Sequence, residues 1–116
     1  MPSERRLEKL SDLMEEELSS IISREVELPE GILVTITRVV ISPDGHYAAI
    51  FISVLGGETK SALEILQKRV YNIQQRLNRR LRVRPIPKIH FAPDLGEMHR
   101  EKIEKTLAEI KRKGDL

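Results

Sequence analysis

The chain has 116 residues, of which 40% are apolar and 33% charged, with no cysteine and a formal net charge of +2. That length suits one compact core, and the absent cysteines exclude disulfides and thiolate metal sites. No stretch approaches the ~18 apolar residues that a membrane-spanning helix needs, and the charged start MPSERRLEKL lacks the apolar region of a secretion signal, so a reducing cytoplasm is expected.

From Ser3 to about Arg24, Leu7, Leu10, Met14, Leu18 and Ile21 recur every three or four positions. This spacing predicts an amphipathic helix with Ser3 as its N-cap. Glu15, Glu16 and Glu17 fall mostly off the stripe and read as a solvated face. Pro29 and Gly31 in LPEG end the helix. Two β-branched runs follow, ILVTITRVVIS and YAAIFISVL, joined by PDGH. Pro43, Asp44 and Gly45 have the turn chemistry of a tight antiparallel hairpin. Val34 and Ile36 are out of phase with Val39 and Ile41, which predicts a bulge or local twist near Arg38.

GGETKSALE is a turn leading into a helix; no phosphate-cradling glycine pattern surrounds Gly56 and Gly57. Ser61 and Glu64 form an S-x-x-E capping pattern, so the helix is expected to begin near Ser61. From Ala62 to Leu81 the chain has neither Gly nor Pro, and Leu63, Leu66, Val70, Ile73, Leu77 and Leu81 form one stripe. Pro85 and Pro87 stop this helix. KIHFA then predicts a short strand with Ile89 and Phe91 buried. Asp94 and Glu97 suggest a further cap, and Ile103, Leu107 and Ile110 give the tail a helical seam. The order α-β-β-α-β-α, with the central helix open to division in two, favours helices laid on one face of a three-stranded sheet.

Charge is segregated along this chain. The 29 residues between Glu64 and Asp94 hold eight of the twenty Lys and Arg and no acid, leaving twelve bases against eighteen acids elsewhere. The stretch is formally +8 and the remainder −6, a dipole whose basic side suits polyanions. At ~100° per residue, Arg69, Arg76 and Arg80 line one flank of the central stripe, with Lys68, Arg79 and Arg82 farther outward. Unpaired like charges at helical spacing repel by a few tenths of a kcal/mol, so local helix stability does not account for them. Arg76, Arg79, Arg80, Arg82 and Arg84 are the candidate phosphate contacts, with Lys68, Arg69 and Lys88 extending the track. With two Phe, two Tyr and no Trp, recognition is expected to rest on phosphates and shape. A solvated face, a DNA or general polyanion binder, and a dock for an acidic protein are the alternatives. Catalysis finds no support: His46, His90 and His99 are scattered without metal-ligand spacing, and no serine lies in G-x-S-x-G. No metal or cofactor set is recognisable.

The ordered set V-T-I-T-x-V, S-x-D, L-R-x-x-P and F-x-x-D, spread over about Arg5 to Ile110, resembles the bacterial ribosome-binding factor A family. The resemblance implies one KH-like domain of the prokaryotic type, α-β-β-α-α-β, over residues 1–116. Its core would span about 5–93, followed by a C-terminal helix at about 97–112. It also implies a monomeric, non-enzymatic assembly factor that binds the free 30S subunit and 16S rRNA. Such a factor matures the rRNA precursor, supports growth in the cold and is linked to an assembly GTPase. Ordinary KH domains clamp nucleotides with a G-x-x-G loop, yet no glycine stands between Gly57 and Gly96. The family's Ala-x-Gly kink aligns with Arg69, Val70 and Tyr71. The expected bend therefore lies within Val70 to Asn72, with Asn72 as the nearest pivot.

Overall fold

The computed structural model describes residues 3–96 and 100–114. Its elements are α1 (Glu4–Glu25), β1 (Leu33–Ile41), β2 (Tyr47–Leu55), α2 (Thr59–Lys68), α3 (Val70–Arg80), β3 (Lys88–Pro93) and α4 (Arg100–Gly114). This is the KH-like order α-β-β-α-α-β followed by a fourth helix.

α1 begins as its sequence predicts. Ser3 is extended and its hydroxyl accepts the Arg6 N–H at 3.2 Å, satisfying one of the free donors of the first turn. Met14, Leu18, Ile21 and Ile22 are buried along one side.

The sheet has order β1-β2-β3, antiparallel between β1 and β2 and parallel between β2 and β3. Between Ile36 and Arg38 the register slips by one residue, leaving Thr37 as the extra position. The bulge resolves the phase conflict in β1. Before it Val34 and Ile36 oppose Val54 and Ile52; after it Val39 and Ile41 oppose Ile50 and Ala48, so all four side chains reach the same core. In the hairpin turn, Ser42 Oγ donates to Asp44 Oδ1 at 2.6 Å, the same carboxylate oxygen accepts the His46 N–H, and Gly45 takes φ +78°. Gly56, at φ +84°, sits where a Cβ would overlap the Gly31 carbonyl oxygen, so only glycine allows this approach.

The central helix departs from expectation at three places. It starts at Thr59, two residues before Ser61, with Glu58 as an N-cap that makes no side-chain bond. The S-x-x-E pattern thus lies inside the first turns and caps nothing. The helix divides at Arg69, one residue ahead of the predicted segment. Arg69 holds φ −103° and ψ 5°, its N–H shared between the Ile65 and Leu66 carbonyls while its own carbonyl accepts from Ile73. That conformation is open to any L-residue, so the bend needs neither glycine nor an αL Asn72. Finally α3 ends at Arg80, with Leu81 extended as its C-cap, well before the prolines.

α1, α2 and α3 cover one face of the sheet, around Ile50, Ile52, Leu66, Leu77 and Phe91. α4 does not join them. Its Ile103, Leu107 and Ile110 pack with Ala49, Phe51 and Ala92 on the reverse face, so the sheet is covered on both sides. The reason is strand alternation: Ala49, Phe51 and Ala92 point away from the first core and are themselves apolar, which demands a second cover. Of the predicted cap at the start of α4, Asp94 accepts the Gly96 N–H at 2.8 Å; Glu97 and His99 lie outside the described residues.

Candidate nucleic-acid interface

Burying Ile73 and Leu77 against the sheet turns the opposite side of α3 to solvent. Tyr71, Asn72 and Arg79 lie exposed on that side, with Arg76 and Arg80 on the flank toward α1. α2 and α3 meet through the single residue Arg69. A nucleotide-clamping loop of the ordinary KH kind has no room between them.

The eight predicted cations separate into three groups. Lys68, Arg69, Arg79 and Arg82 are exposed, and their side chains form no ion pair or hydrogen bond among the described residues. Arg76 and Arg80 are engaged with α1. Arg76 Nη1 stands 3.3 Å from Glu25 Oε1, while Arg80 reaches Glu17 Oε2 at 3.4 Å and Glu25 Oε1 at 3.7 Å. The acid-free stretch is therefore free of acids along the chain but not in space. Helix periodicity placed Glu17 on a solvated face; instead it borders the stripe on the side that α3 occupies.

The third group leaves the ridge altogether. Arg84 turns back on α3: Nη2 donates to the Asn78 carbonyl at 2.9 Å and Nη1 to the Leu81 and Val83 carbonyls at 2.8 Å. The Asn78 and Leu81 carbonyls are acceptors that the end of α3 leaves open, and a cation is favourable at that pole. Lys88 begins β3 and alternates with the buried Ile89, which puts it on the sheet face of His90 and α4. Neither residue joins the α3 surface.

Side chains that the charge pattern did not flag shape the rest of the site. Gln74 holds the edge strand in place: its Oε1 accepts the Ile89 N–H at 2.8 Å, and its Nε2 donates to the Pro87 carbonyl and to Asn78 Oδ1. Between the end of α1 and the start of α3 lies a groove of about 480 Å³. Ile21, Val26 and Ile73 are its apolar lining, and Arg69, Tyr71, Asn72, Gln75, Arg79 and the Glu25–Arg76 ion pair its polar lining. Tyr71 is 71% exposed there.

His46 and His90 have structural settings. His46 Nδ1 is 3.5 Å from Asp44 Oδ2. That carboxyl is held below its ordinary range by the Ser42 hydroxyl first and the His46 N–H second, the bonds that close the hairpin turn. His90 is half-buried, and desolvation, helped by Lys113 and Lys88 and opposed by Glu109, pushes its imidazole toward the neutral form.

The sequence matches the model of the family described as Ribosome-binding factor A over residues 6–107. It is 36% identical over 112 residues to ribosome-binding factor A of Thermomicrobium roseum, covering 95% of this chain and 86% of that protein. The counterpart from Cupriavidus metallidurans is 33% identical over 101 residues, covering 87% and 82%. Among structures, the crystal structure of ribosome-binding factor A from Thermus thermophilus superposes with a TM-score of 0.71 at 25% identity, covering 79% of this chain and 99% of that one. A homology model of the Thermus thermophilus factor, fitted into a cryo-EM map of a complex with the 30S subunit, gives 0.66 at 26% identity, covering 78% and 97%.

Proposed function

Because the chain belongs to the ribosome-binding factor A family, we propose that it is a non-enzymatic assembly factor for the small ribosomal subunit. It binds the free 30S particle and its 16S rRNA as a monomer and promotes late maturation of the rRNA precursor, with release linked to an assembly GTPase. The observation that carries this reading is the exposed cation surface of the bent α2–α3 pair, where Lys68, Arg69, Arg79 and Arg82 lack internal partners among the described residues. The related Thermus thermophilus factor fitted into a 30S complex supports it.

Guanidinium forks and an ammonium along exposed helix surface suit phosphate oxygens of a structured RNA. The chain's action is differential affinity: it favours the subunit conformation that best matches its surface. Co-sedimentation with purified small subunits, large subunits and whole ribosomes tests the proposal. Binding confined to small subunits and resistant to competing duplex DNA is expected. Equal binding to all three particles, or its loss to duplex DNA, overturns it.

A further inference from the structure

The groove at the α2–α3 bend differs from the cation track around it in having an aromatic ring at its rim. Tyr71, Gln75 and Arg79 follow one another at i, i+4 and i+8, so they form a single strip up the exposed side of α3, about 6 Å apart per step. Asn72 and Arg69 flank the strip at its lower end. The side chains of all five lack hydrogen bonds and ion pairs among the described residues; Glu25, the carboxylate that lines the groove, is taken up by Arg76 at 3.3 Å and Arg80 at 3.7 Å and so leaves these five to a ligand. A large ring left 71% exposed forgoes burial that would stabilise the fold.

Resting on the reading of the chain as an RNA-binding factor, we infer that this groove is a site for one unpaired RNA nucleotide. The base stacks on the Tyr71 ring, the amides of Asn72 and Gln75 meet its hydrogen-bonding edge, and Arg79 and Arg69 hold the adjacent phosphates. Each contact uses chemistry the strip supplies. A π-face accepts any base and is most useful where a strand is not paired. Side-chain amides offer both a donor and an acceptor, and the guanidiniums carry the charge that a phosphate neutralises. The groove's about 480 Å³ falls within the range of sites that take one small ligand. An acidic peptide would satisfy the arginines but leave the ring unused, so RNA fits the strip better. The site supplies what the missing G-x-x-G loop does not, a place for a single-stranded nucleotide, at the same bend in the fold.

Binding of Tyr71→Ala and Tyr71→Phe is compared with that of the unchanged chain for three probes: single-stranded octaadenylate, an eight-base-pair RNA duplex and purified small subunits. Affinities come from NMR titration for the oligonucleotides and from co-sedimentation for the subunits. Because Tyr71 is exposed, thermal unfolding of both variants should match that of the unchanged chain. Tyr71→Ala should weaken octaadenylate about 5- to 150-fold without changing the salt slope, Tyr71→Phe should bind within about twofold, and the duplex should be indifferent to either. Upfield shifts of the Tyr71 ring protons should accompany octaadenylate. Wild-type affinity of Tyr71→Ala for octaadenylate, equal losses on single strand and duplex, or displacement by oligoglutamate at equal concentration overturns the nucleotide site. Retained co-sedimentation with small subunits in those cases leaves the assembly-factor reading intact; its loss for the unchanged chain sinks both.

Discussion

Glu17 and Glu25 set how much of the α3 surface is open to a polyanion, so the Glu17→Gln/Glu25→Gln double variant probes the interface directly. Three contacts at 3.3, 3.4 and 3.7 Å hold Arg76 and Arg80. The carboxylate side chains are 33% and 28% exposed, which places each pair near the solvated limit and makes it worth ~1 kcal/mol or less. The variant should therefore unfold only a few degrees lower. Its binding should change far more. Each arginine released to a phosphate steepens the dependence of log affinity on log salt by ~0.7 to 0.9. Two give ~1.4 or more, which at ~0.1 M salt and an unaltered 1 M intercept corresponds to ~25-fold tighter binding. Co-sedimentation with small subunits across a salt series measures both quantities. An unchanged slope with unchanged affinity would show that Arg76 and Arg80 do not meet phosphate even when released, which would refute the expected gain and confine the interface to Lys68, Arg69, Arg79 and Arg82.

Arg79→Ala should flatten the same salt dependence by ~0.7 to 0.9 while leaving the unfolding midpoint unchanged, because its guanidinium has no partner among the described residues. Gln74→Ala removes the acceptor for the Ile89 N–H and the donor to the Pro87 carbonyl; equilibrium urea unfolding should show a loss of ~1 to 3 kcal/mol with subunit binding intact at native stability. Burial lowers the His90 pKa from its ordinary 6.5, so as pH falls through 6.5 the unfolded chain takes up a proton before the folded one does. Stability should decline from there until the folded imidazole also protonates, and His90→Asn should lose that part of the decline in urea titrations between pH 7 and 5.

What the sequence revealed and what it hid divide along one physical line. Features set by neighbours in the chain were legible: the α1 stripe and its Ser3 cap, the hairpin at Pro43 to Gly45, and the bulge at Thr37, whose signature is the phase slip between Ile36 and Val39. The bend in the central helix was harder, because Arg69 adopts a conformation that every residue tolerates and so leaves no compositional mark. Ser61 and Glu64 matched a capping pattern, yet nothing at Thr59 or Lys60 resists helix, and the helix starts earlier. The polar contacts across the fold left no mark in the sequence. That Glu17 and Glu25 would neutralise Arg76 and Arg80 depends on how α1 lies beside α3. That Arg84 would close the end of α3 depends on the course of residues 81–87. The reverse-face position of α4 did have a signal, the apolar Ala49, Phe51 and Ala92 alternating with the main core, which shows that the far side of the sheet also needs cover.

Amide hydrogen exchange of the chain, free and bound to purified small subunits, tests the placement of the interface most directly. Protection on binding should concentrate at residues 68–82, around the bend and along α3, with little change in α4. Protection confined to α4 or to the β1 edge, with α3 exchanging as in the free chain, would contradict that placement.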